Sequence, residues 1–125
     1  MPTKRFTKRV VEAIDGARIL GIRAGEGPHR VIGIWVVVVE GRVFVRSWDA
    51  KAGGWYRTLR EDPRGIIAVG ERELRMRANF RVGERLRDAV DAAYAVKYPT
   101  PGSRKYVRGF ALERRRATTT ELLPR

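Results

Sequence analysis

The clearest pattern in the chain is an uncharged, largely β-branched run over Val31–Val39, which is followed by Glu40-Gly41 and then by Arg42–Trp48. An apolar run of this length without alternation predicts a strand covered on both faces. The short connection between the two segments predicts a hairpin, although glutamate is not a residue that the positive-φ position of such a turn favours.

Other segments also have the pattern of strands. The stretch 73–80 alternates strictly, which predicts a half-buried strand with Leu74, Met76, Ala78 and Phe80 facing inward. Further strands are predicted over 17–22, 66–69 and 117–123.

Helical spacing predicts elements between and after the strands. An N-terminal helix begins after a cap at Thr7 or Thr3 and ends at Gly16. A short helix over 55–60 stops before Pro63, and a longer one covers 85–98. A last helix is capped by Ser103, with a strand over 110–114 as the alternative; its predicted face carries Val107, Phe110, Ala111 and Arg114. About six strands joined largely by short connections predict an α+β fold with an antiparallel sheet.

The composition narrows the class of protein. With 125 residues, of which 43% are hydrophobic, the chain can bury one core. It has no cysteine, which suits a reducing compartment. The longest apolar run has less than half the length of a membrane-spanning helix, and the N-terminus lacks the apolar stretch of a signal peptide. We therefore expect a cytoplasmic protein that does not enter the membrane.

The formal net charge is +13, with 22 arginines and 5 lysines. Such a charge attracts nucleic acid, acidic membranes or a phosphorylated cofactor. The excess of arginine is also what a GC-rich genome produces through codon usage, and the basic residues are spread along the whole chain. Charge alone therefore does not identify a partner.

Most kinds of catalytic or metal site are excluded by the residues present. The single histidine, His29, has no cysteine or second histidine to complete a zinc site, and it is expected in a loop or at a pocket rim. The chain contains no nucleophile elbow and neither of the glycine-rich nucleotide motifs. The carboxylates have the spacing of solvated helix surfaces, so paired acid–base catalysis is not indicated.

One segment combines basic, hydroxyl and aromatic residues, namely Arg46-Ser47-Trp48 followed by Gly53-Gly54-Trp55-Tyr56-Arg57. Arginine and serine bind phosphate through charge-assisted hydrogen bonds, and aromatic rings stack on planar ligands. Core-capping aromatic residues and surface arginines would give the same pattern, so this segment leaves both interpretations open.

The order of these motifs resembles a known group of proteins. The stretch 43–47, the glycine loop, Trp55–Leu59 and Glu61-Asp62-Pro63 are similar to the corresponding stretch of deazaflavin-dependent nitroreductase-like proteins. Pro28-His29-Arg30 and Ile34–Val37 resemble the wider pyridoxamine-phosphate-oxidase-like group. The pattern, over about 17–125, is most similar to an uncharacterised bacterial family of that group, a domain of unknown function.

The resemblance implies a six-stranded split barrel that forms one domain over 1–125, with residues 1–16 as an N-terminal helix and 17–125 as the barrel. It also implies a homodimer with FMN or a deazaflavin near the subunit interface. The candidate cofactor-binding residues are Arg30, Trp35, Arg46, Ser47, Trp55, Tyr56 and Arg57. Ser47 and Arg46 would contact the phosphate or the ring edge, Arg30 would add a phosphate contact, and Trp55 and Tyr56 would form the pocket wall.

Two positions depart from the nitroreductase-like pattern. Arg57-Thr58 stands where those proteins have asparagine near the leucine, and Asp49 brings a negative charge into the phosphate loop. The leading hypothesis is a flavin- or deazaflavin-dependent oxidoreductase acting on a small organic molecule. One alternative is a split barrel that binds a ligand without catalysis. Another is a nucleic-acid-binding module that would use Arg75, Arg77, Arg81, Arg85 and Arg87.

Overall fold

A single antiparallel sheet dominates the computed structural model, which describes residues 4–25, 27 and 29–125. The described strands are β1 (Ile19–Ala24), β2 (Ile32–Trp35), β3 (Val37–Val39), β4 (Arg42–Val45), β5 (Arg64–Val69), β6 (Arg72–Asn79) and β7 (Thr120–Pro124). The described helices are α1 (Lys8–Gly16), α2 (Trp55–Glu61), α3 (Glu84–Lys97), α4 (Arg104–Phe110) and α5 (Glu113–Arg116). The predicted α+β class and antiparallel pairing are confirmed.

The strand order β2-β1-β5-β6-β7-β4-β3 makes the sheet a nearly closed barrel. Its two end strands, β2 and β3, follow one another in the chain with only Val36 between them. β2 pairs with β1, whereas β3 pairs with β4. The chain therefore passes from one end of the sheet to the other at Val36, and the barrel is split beside this crossing.

The prediction of one long strand over Val31–Val39 is wrong, and the reason lies at Val36. Its backbone N–H donates to the Tyr98 hydroxyl at 3.1 Å, and its carbonyl accepts from Lys97 Nζ at 2.9 Å. Side chains from the end of α3 thus replace the ladder partners of this residue. The sheet consequently has seven strands instead of six.

The expectation that this segment is covered on both faces is also wrong for its first half. Val36 and Val37 are fully buried, whereas Val31 is 48% exposed and Ile32 is 42% exposed. An apolar run signals a surface to be covered, but it does not say whether the cover comes from the same chain. Here the start of the run forms an apolar rim on the surface.

Two apolar clusters fill the molecule. The first lies inside the barrel, where Leu20, Ile22, Val45, Ile67, Met76 and Leu122 meet, and it includes Ile14 of α1 and Leu59 of α2. The second lies between the outer side of β3 and β4 and the helices α3 and α4, and it contains Phe44, Val90, Tyr94, Tyr98 and Phe110. The inward positions predicted in β6 are confirmed for Met76 and Ala78, which are buried.

The predicted helix cap and hairpin turn can be compared directly with the structure. Thr7 caps α1, since its side chain accepts a hydrogen bond from the Val10 N–H at 3.3 Å. Thr3, the other predicted cap, lies outside the described residues, as does Pro28 in the loop before β2. The hairpin turn places Glu40 at φ 55°, and its carboxylate forms an ion pair with Arg85 at 2.6 Å. This cross-link compensates for the unfavourable residue type.

The C-terminal helix differs from its prediction. The expected continuous face ends at Phe110, because the chain turns there and begins α5 three residues later. Ala111 and Arg114 are therefore exposed. Ser103 makes no capping hydrogen bond to α4; its hydroxyl instead accepts from Thr100 and Arg18. The alternative strand over 110–114 is wrong as well.

The predicted strand bounds differ from the structure at several places, since β1 covers Ile19–Ala24 instead of 17–22 and β5 covers Arg64–Val69 instead of 66–69. β4 ends at Val45, so residues 46–48 leave the ladder. β7 starts at Thr120, because Thr118 and Thr119 close the turn after α5.

Among the described residues, no helix is both long and apolar enough to cross a membrane.

Candidate functional site

A cleft of about 480 Å³ lies at the split in the barrel, between β2 and the segment that follows β4. Its lining consists of Ile19, Ile32, Gly33, Ile34, Trp35, Arg46, Ser47, Trp48, Asp49, Lys51, Gly54, Trp55, Tyr106 and Phe110. Its volume falls within the roughly 300–1,000 Å³ typical of small-molecule pockets. We call this feature the cleft.

Aromatic rings form the wall of the cleft on the side of the helices. Trp35 stacks on Tyr98, with 4.0 Å between ring centroids and 2° between ring planes. Phe110 lies 6.0 Å from Trp35 and 5.3 Å from Trp48, so it links the two indoles. The Tyr98 hydroxyl, which donates to Arg18 O at 2.6 Å, also anchors the Val36 crossing. The packing that splits the long strand therefore fixes one wall of the cleft.

The position of the Trp48 indole is fixed by contacts with Arg115 and Gly109. The Arg115 guanidinium lies 3.6 Å from the centre of the indole, and its Nε donates to the Trp48 carbonyl at 2.6 Å. A Cβ atom at Gly109 would stand 2.3 Å from the indole carbon Cη2, so only glycine permits this packing. Trp48 remains 39% exposed and lines the cleft.

The loop between β4 and α2 is shaped by two of the predicted site residues. Ala50 has φ 48°, a conformation that is uncommon for residues other than glycine. The Ser47 hydroxyl accepts from the Ala50 N–H at 2.9 Å, and Arg57 Nε donates to the Ala50 carbonyl at 2.6 Å. Ser47 and Arg57 thus stabilise the strained backbone conformation of Ala50, which lies in the loop beside the cleft.

The Arg46 guanidinium points into the interior behind the cleft. Its donors bind Thr119 Oγ1 at 2.8 Å, the Phe110 carbonyl at 2.9 Å, the Arg87 carbonyl at 2.9 Å and the Asp91 carboxylate. Arg116 binds the other oxygen of Asp91. We call Arg46, Asp91, Arg116 and Thr119 the arginine network. It joins α3 to the segments on either side of the cleft.

A buried phenol adjoins this network. The ring of Tyr94 lies 5.8 Å from the Arg46 guanidinium, and its hydroxyl has no hydrogen-bond partner among the described residues. Burial raises the pKa of Tyr94 well above its usual value. This hydroxyl stays protonated over the physiological range and does not serve as a base.

A second hollow of about 370 Å³ continues from the cleft and carries positive charge. Ile32, Lys51, Gly54 and Trp55 line both spaces. The second hollow adds His29 and Arg30, both exposed, and we call it the basic hollow. The expectation that His29 lies at a pocket rim agrees with this position.

The structure brings only some of the predicted site residues together. Trp35, Arg46, Ser47 and Trp55 line the cleft, and Arg30 lines the basic hollow. The Tyr56 ring instead packs edge-on against the Phe80 ring, with 5.8 Å between the ring centroids. Arg57 is exposed and donates a hydrogen bond to the Ala50 carbonyl of the loop. Whether any of the seven contacts a cofactor stays a prediction.

The candidate site residues predicted from the sequence did not include several polar and aromatic residues of the lining, among them Trp48, Lys51, Tyr106 and Phe110. Trp48 directly follows the predicted site residues Arg46 and Ser47, so its position in the sequence could have indicated it. Tyr106 and Phe110 come from α4, sixty residues along the chain, and no local motif marks them. Asp49 is the one carboxylate in the described lining, which otherwise offers apolar and aromatic surface with hydrogen-bond donors at its edges. This arrangement can bind a planar anionic molecule, but it lacks an acid–base pair of its own.

A family model described as an uncharacterized protein conserved in bacteria (DUF2255) matches residues 9–122. The chain belongs to this family. Among curated proteins, no sequence matches it.

Three solved structures show the same fold. Hypothetical protein Rv2991 from Mycobacterium tuberculosis has a TM-score of 0.59 and 14% identity, over 97% of this chain and 83% of that one. An F420-H2 dependent reductase (FDR-A) has a TM-score of 0.60 and 18% identity, over 85% and 93%. A NimC/NimA family protein from Clostridium acetobutylicum has a TM-score of 0.54 and 16% identity, over 94% and 77%. At these identities the likeness concerns the split-barrel fold.

Proposed function

We propose that the chain binds a flavin-type cofactor, FMN or a deazaflavin, in the cleft and acts as an oxidoreductase on a small organic molecule. The observation that carries the proposal is the aromatic cleft at the barrel split, continuous with the basic hollow. The reductase named above uses F420, a deazaflavin, and its similar fold supports this choice of cofactor class.

The residues fit both parts of such a molecule. Trp35, Trp48 and Trp55 line the cleft and offer aromatic surface on which a tricyclic ring can stack. The Ser47 hydroxyl accepts from Ala50, which leaves its proton available for a ring or phosphate oxygen.

Lys51 lines both the cleft and the basic hollow, and Arg30 lines the basic hollow. These two side chains would hold the phosphate. Because the Arg46 guanidinium is engaged with protein acceptors, we assign it the positioning of Ser47 and Phe110. Its predicted contact with the phosphate would require breaking those bonds.

A bound flavin or deazaflavin supplies hydride-transfer chemistry that no side chain provides. The chain itself contributes binding, orientation and exclusion of water. This division of roles agrees with a lining in which Asp49 is the one described carboxylate.

The proposal includes a homodimer in the cytoplasm. Ile19, Val31 and Ile32 are each more than 40% exposed and lie in or beside β2, which among the described strands pairs with β1 alone. An exposed apolar rim at a sheet edge is suited to pairing with a second copy, which would also cover the cleft. Light scattering after gel filtration should give twice the 14.2 kDa chain mass. A monomer at micromolar concentration would contradict the dimer while leaving the cleft assignment intact.

The test of the cofactor is a binding titration. The purified protein is examined for visible absorbance and then titrated with FMN and with F420, while tryptophan fluorescence is followed. Saturable quenching at micromolar ligand is expected, because three indoles line the cleft. No bound chromophore and no quenching by either compound would refute the proposal. Tight binding without turnover under any reductant would select the alternative of a non-catalytic ligand-binding barrel.

A further inference from the structure

A third concave feature lies on the outer face of β1, β5 and β6. It has a volume of about 390 Å³ and is lined by Arg23, Gly25, Arg64, Ile66, Arg75 and Arg125. We call it the outer hollow. None of these residues lines the cleft or the basic hollow.

The register of the sheet brings its cations together. Arg23 pairs across β1 and β5 with Ile66, and Ile66 pairs across β5 and β6 with Arg75. In the neighbouring row, Arg64 stands directly opposite Arg77. Like charges on facing strand positions destabilise a sheet, so this concentration of arginines calls for a counter-charge.

Some of that counter-charge comes from the described part of the chain. Arg64 forms an ion pair with Asp62, with Nε and Oδ1 3.0 Å apart. Arg23 Nε is buried and has no hydrogen-bond partner, and within the described chain neither Arg23 nor Arg75 has a side-chain hydrogen bond or ion pair. Since a buried donor without a partner is costly, an acceptor from outside the chain would stabilise this face.

We propose that the outer hollow binds a phosphate group of a small molecule, such as a phosphate ester or a diphosphate. Guanidinium groups match phosphate through paired hydrogen bonds. Arg23 and Arg75 together carry more positive charge and more donors than the single charge and two oxygens of a carboxylate can engage, whereas a diphosphate offers more of both. Asp62 and Glu73 flank the arginines on the same face, so an extended nucleic-acid backbone would meet carboxylates beside the hollow. A compact anion avoids them.

The experiment is isothermal titration calorimetry of the full chain with sodium pyrophosphate and inorganic phosphate, without added metal. Sodium chloride at equal ionic strength and sodium acetate are the reference anions, and a short DNA duplex represents a polymer. The variants Arg23→Gln and Arg75→Gln remove the two arginines on which the proposal rests. Arg77→Gln is the matched control on the same strand face, and Arg104→Gln is a control with the same charge change on the exposed start of α4.

Pyrophosphate should bind saturably and more tightly than acetate. Arg23→Gln and Arg75→Gln should each weaken it about 10-fold, and the two controls less than about 3-fold. Because Arg75 is exposed, its variant keeps the test valid even if Arg23→Gln folds poorly. Equal weakening by all four variants would show a diffuse effect of net charge and overturn the proposal. Duplex binding that needs Arg23 and Arg75, with no pyrophosphate binding, would also overturn it, by assigning the surface to a polymer.

Discussion

Two regions meet at Ser47, and they differ in how completely their side chains are engaged by other residues of the chain. Behind this residue, the arginine network uses the Arg46 guanidinium on a carboxylate, two carbonyls and a hydroxyl, and Arg46 is 2% exposed. In front of it, Trp48 and Tyr106 line the cleft and are each about 40% exposed. The difference indicates that the network serves the fold, and it supports our proposal that a ligand occupies the cleft. Substitutions behind Ser47 should therefore lower stability, and those in front should lower ligand binding.

The largest effect is expected for Arg46→Met. It leaves the Phe110 carbonyl, the Arg87 carbonyl and one oxygen of Asp91 without their donor in the interior. Asp91 is 28% exposed and keeps Arg116 as a partner, so the expected loss of unfolding free energy is about 3 kcal/mol and comes mainly from the two carbonyls left without a donor. Urea denaturation measures the loss, with Arg104→Met on the exposed start of α4 as the control. A loss below about 1 kcal/mol would mean that the network does not stabilise the fold.

The next effect concerns Glu121, a second buried charge matched within the chain. Arg42 binds both of its oxygens at 2.8 Å, and Asn79 donates to one of them at 3.2 Å. Burial raises the pKa of Glu121, but the hydrogen bonds from Arg42 and Asn79 outweigh it and hold the pKa below the usual 4.5. Glu121→Gln should cost about 2 kcal/mol at neutral pH.

The sign of the pH dependence follows from that lowered pKa. The stabilisation by Glu121 is complete above about pH 4.5 and is lost as the pH falls through the lower pKa of the folded state. The difference in stability between wild type and Glu121→Gln should therefore shrink below pH 4.5, whereas the exposed Glu12→Gln should show little difference at any pH. A constant difference down to pH 3 would contradict the ion-pair account.

Gly109 lies at the boundary between the arginine network and the cleft, and the third prediction concerns Gly109→Ala. The new methyl would meet the Trp48 ring at 2.3 Å, so the indole must leave its place between Arg115 and Phe110. Overpacking of this kind costs about 1–3 kcal/mol, and it should also shift the tryptophan emission. Gly102→Ala, which has open space around its Cβ, is the matched control. Identical emission spectra for the two variants would show that Trp48 is not fixed by this contact.

The smallest changes in stability are expected at the front of the cleft. Lys51→Gln removes an exposed group that lines the cleft and should change the unfolding free energy by less than about 1 kcal/mol, whereas Trp55→Leu also loses packing against the core and should cost about 1 kcal/mol. They should weaken FMN or F420 binding about 5-fold and 3-fold, through the lost ring contact and the lost charge. The Lys51 effect should fade at high salt. If both variants bind like wild type, the ligand does not occupy the cleft.

The sequence predicted much of the fold because its signals are local. Alternation in β6 and the apolar face of α3 are read from neighbouring residues, and the family motifs together indicate a split barrel. The break at Val36 was not predictable in this way, since Tyr98 and Lys97 cause it from sixty residues away.

The site shows the same limit. Arg46 and Ser47 stood out by residue type, yet nothing nearby shows that Asp91 of α3 and Phe110 of α4 bind the arginine. The aromatic wall from α4 was missed for the same reason. Residue type indicated where chemistry could occur, and only long-range packing separated the buried arginine from the exposed rings.

The most direct test of the cleft is an NMR titration of the 15N-labelled protein with FMN and, separately, with F420. Its three indole N–H signals come from Trp35, Trp48 and Trp55, all of which line the cleft. Saturable shifts of these signals and of the Ser47 amide, with the amides of Arg23 and Arg75 unchanged, are the predicted result. Indole signals that stay in place at saturating concentrations of both cofactors would contradict the assignment of the cleft as the cofactor site.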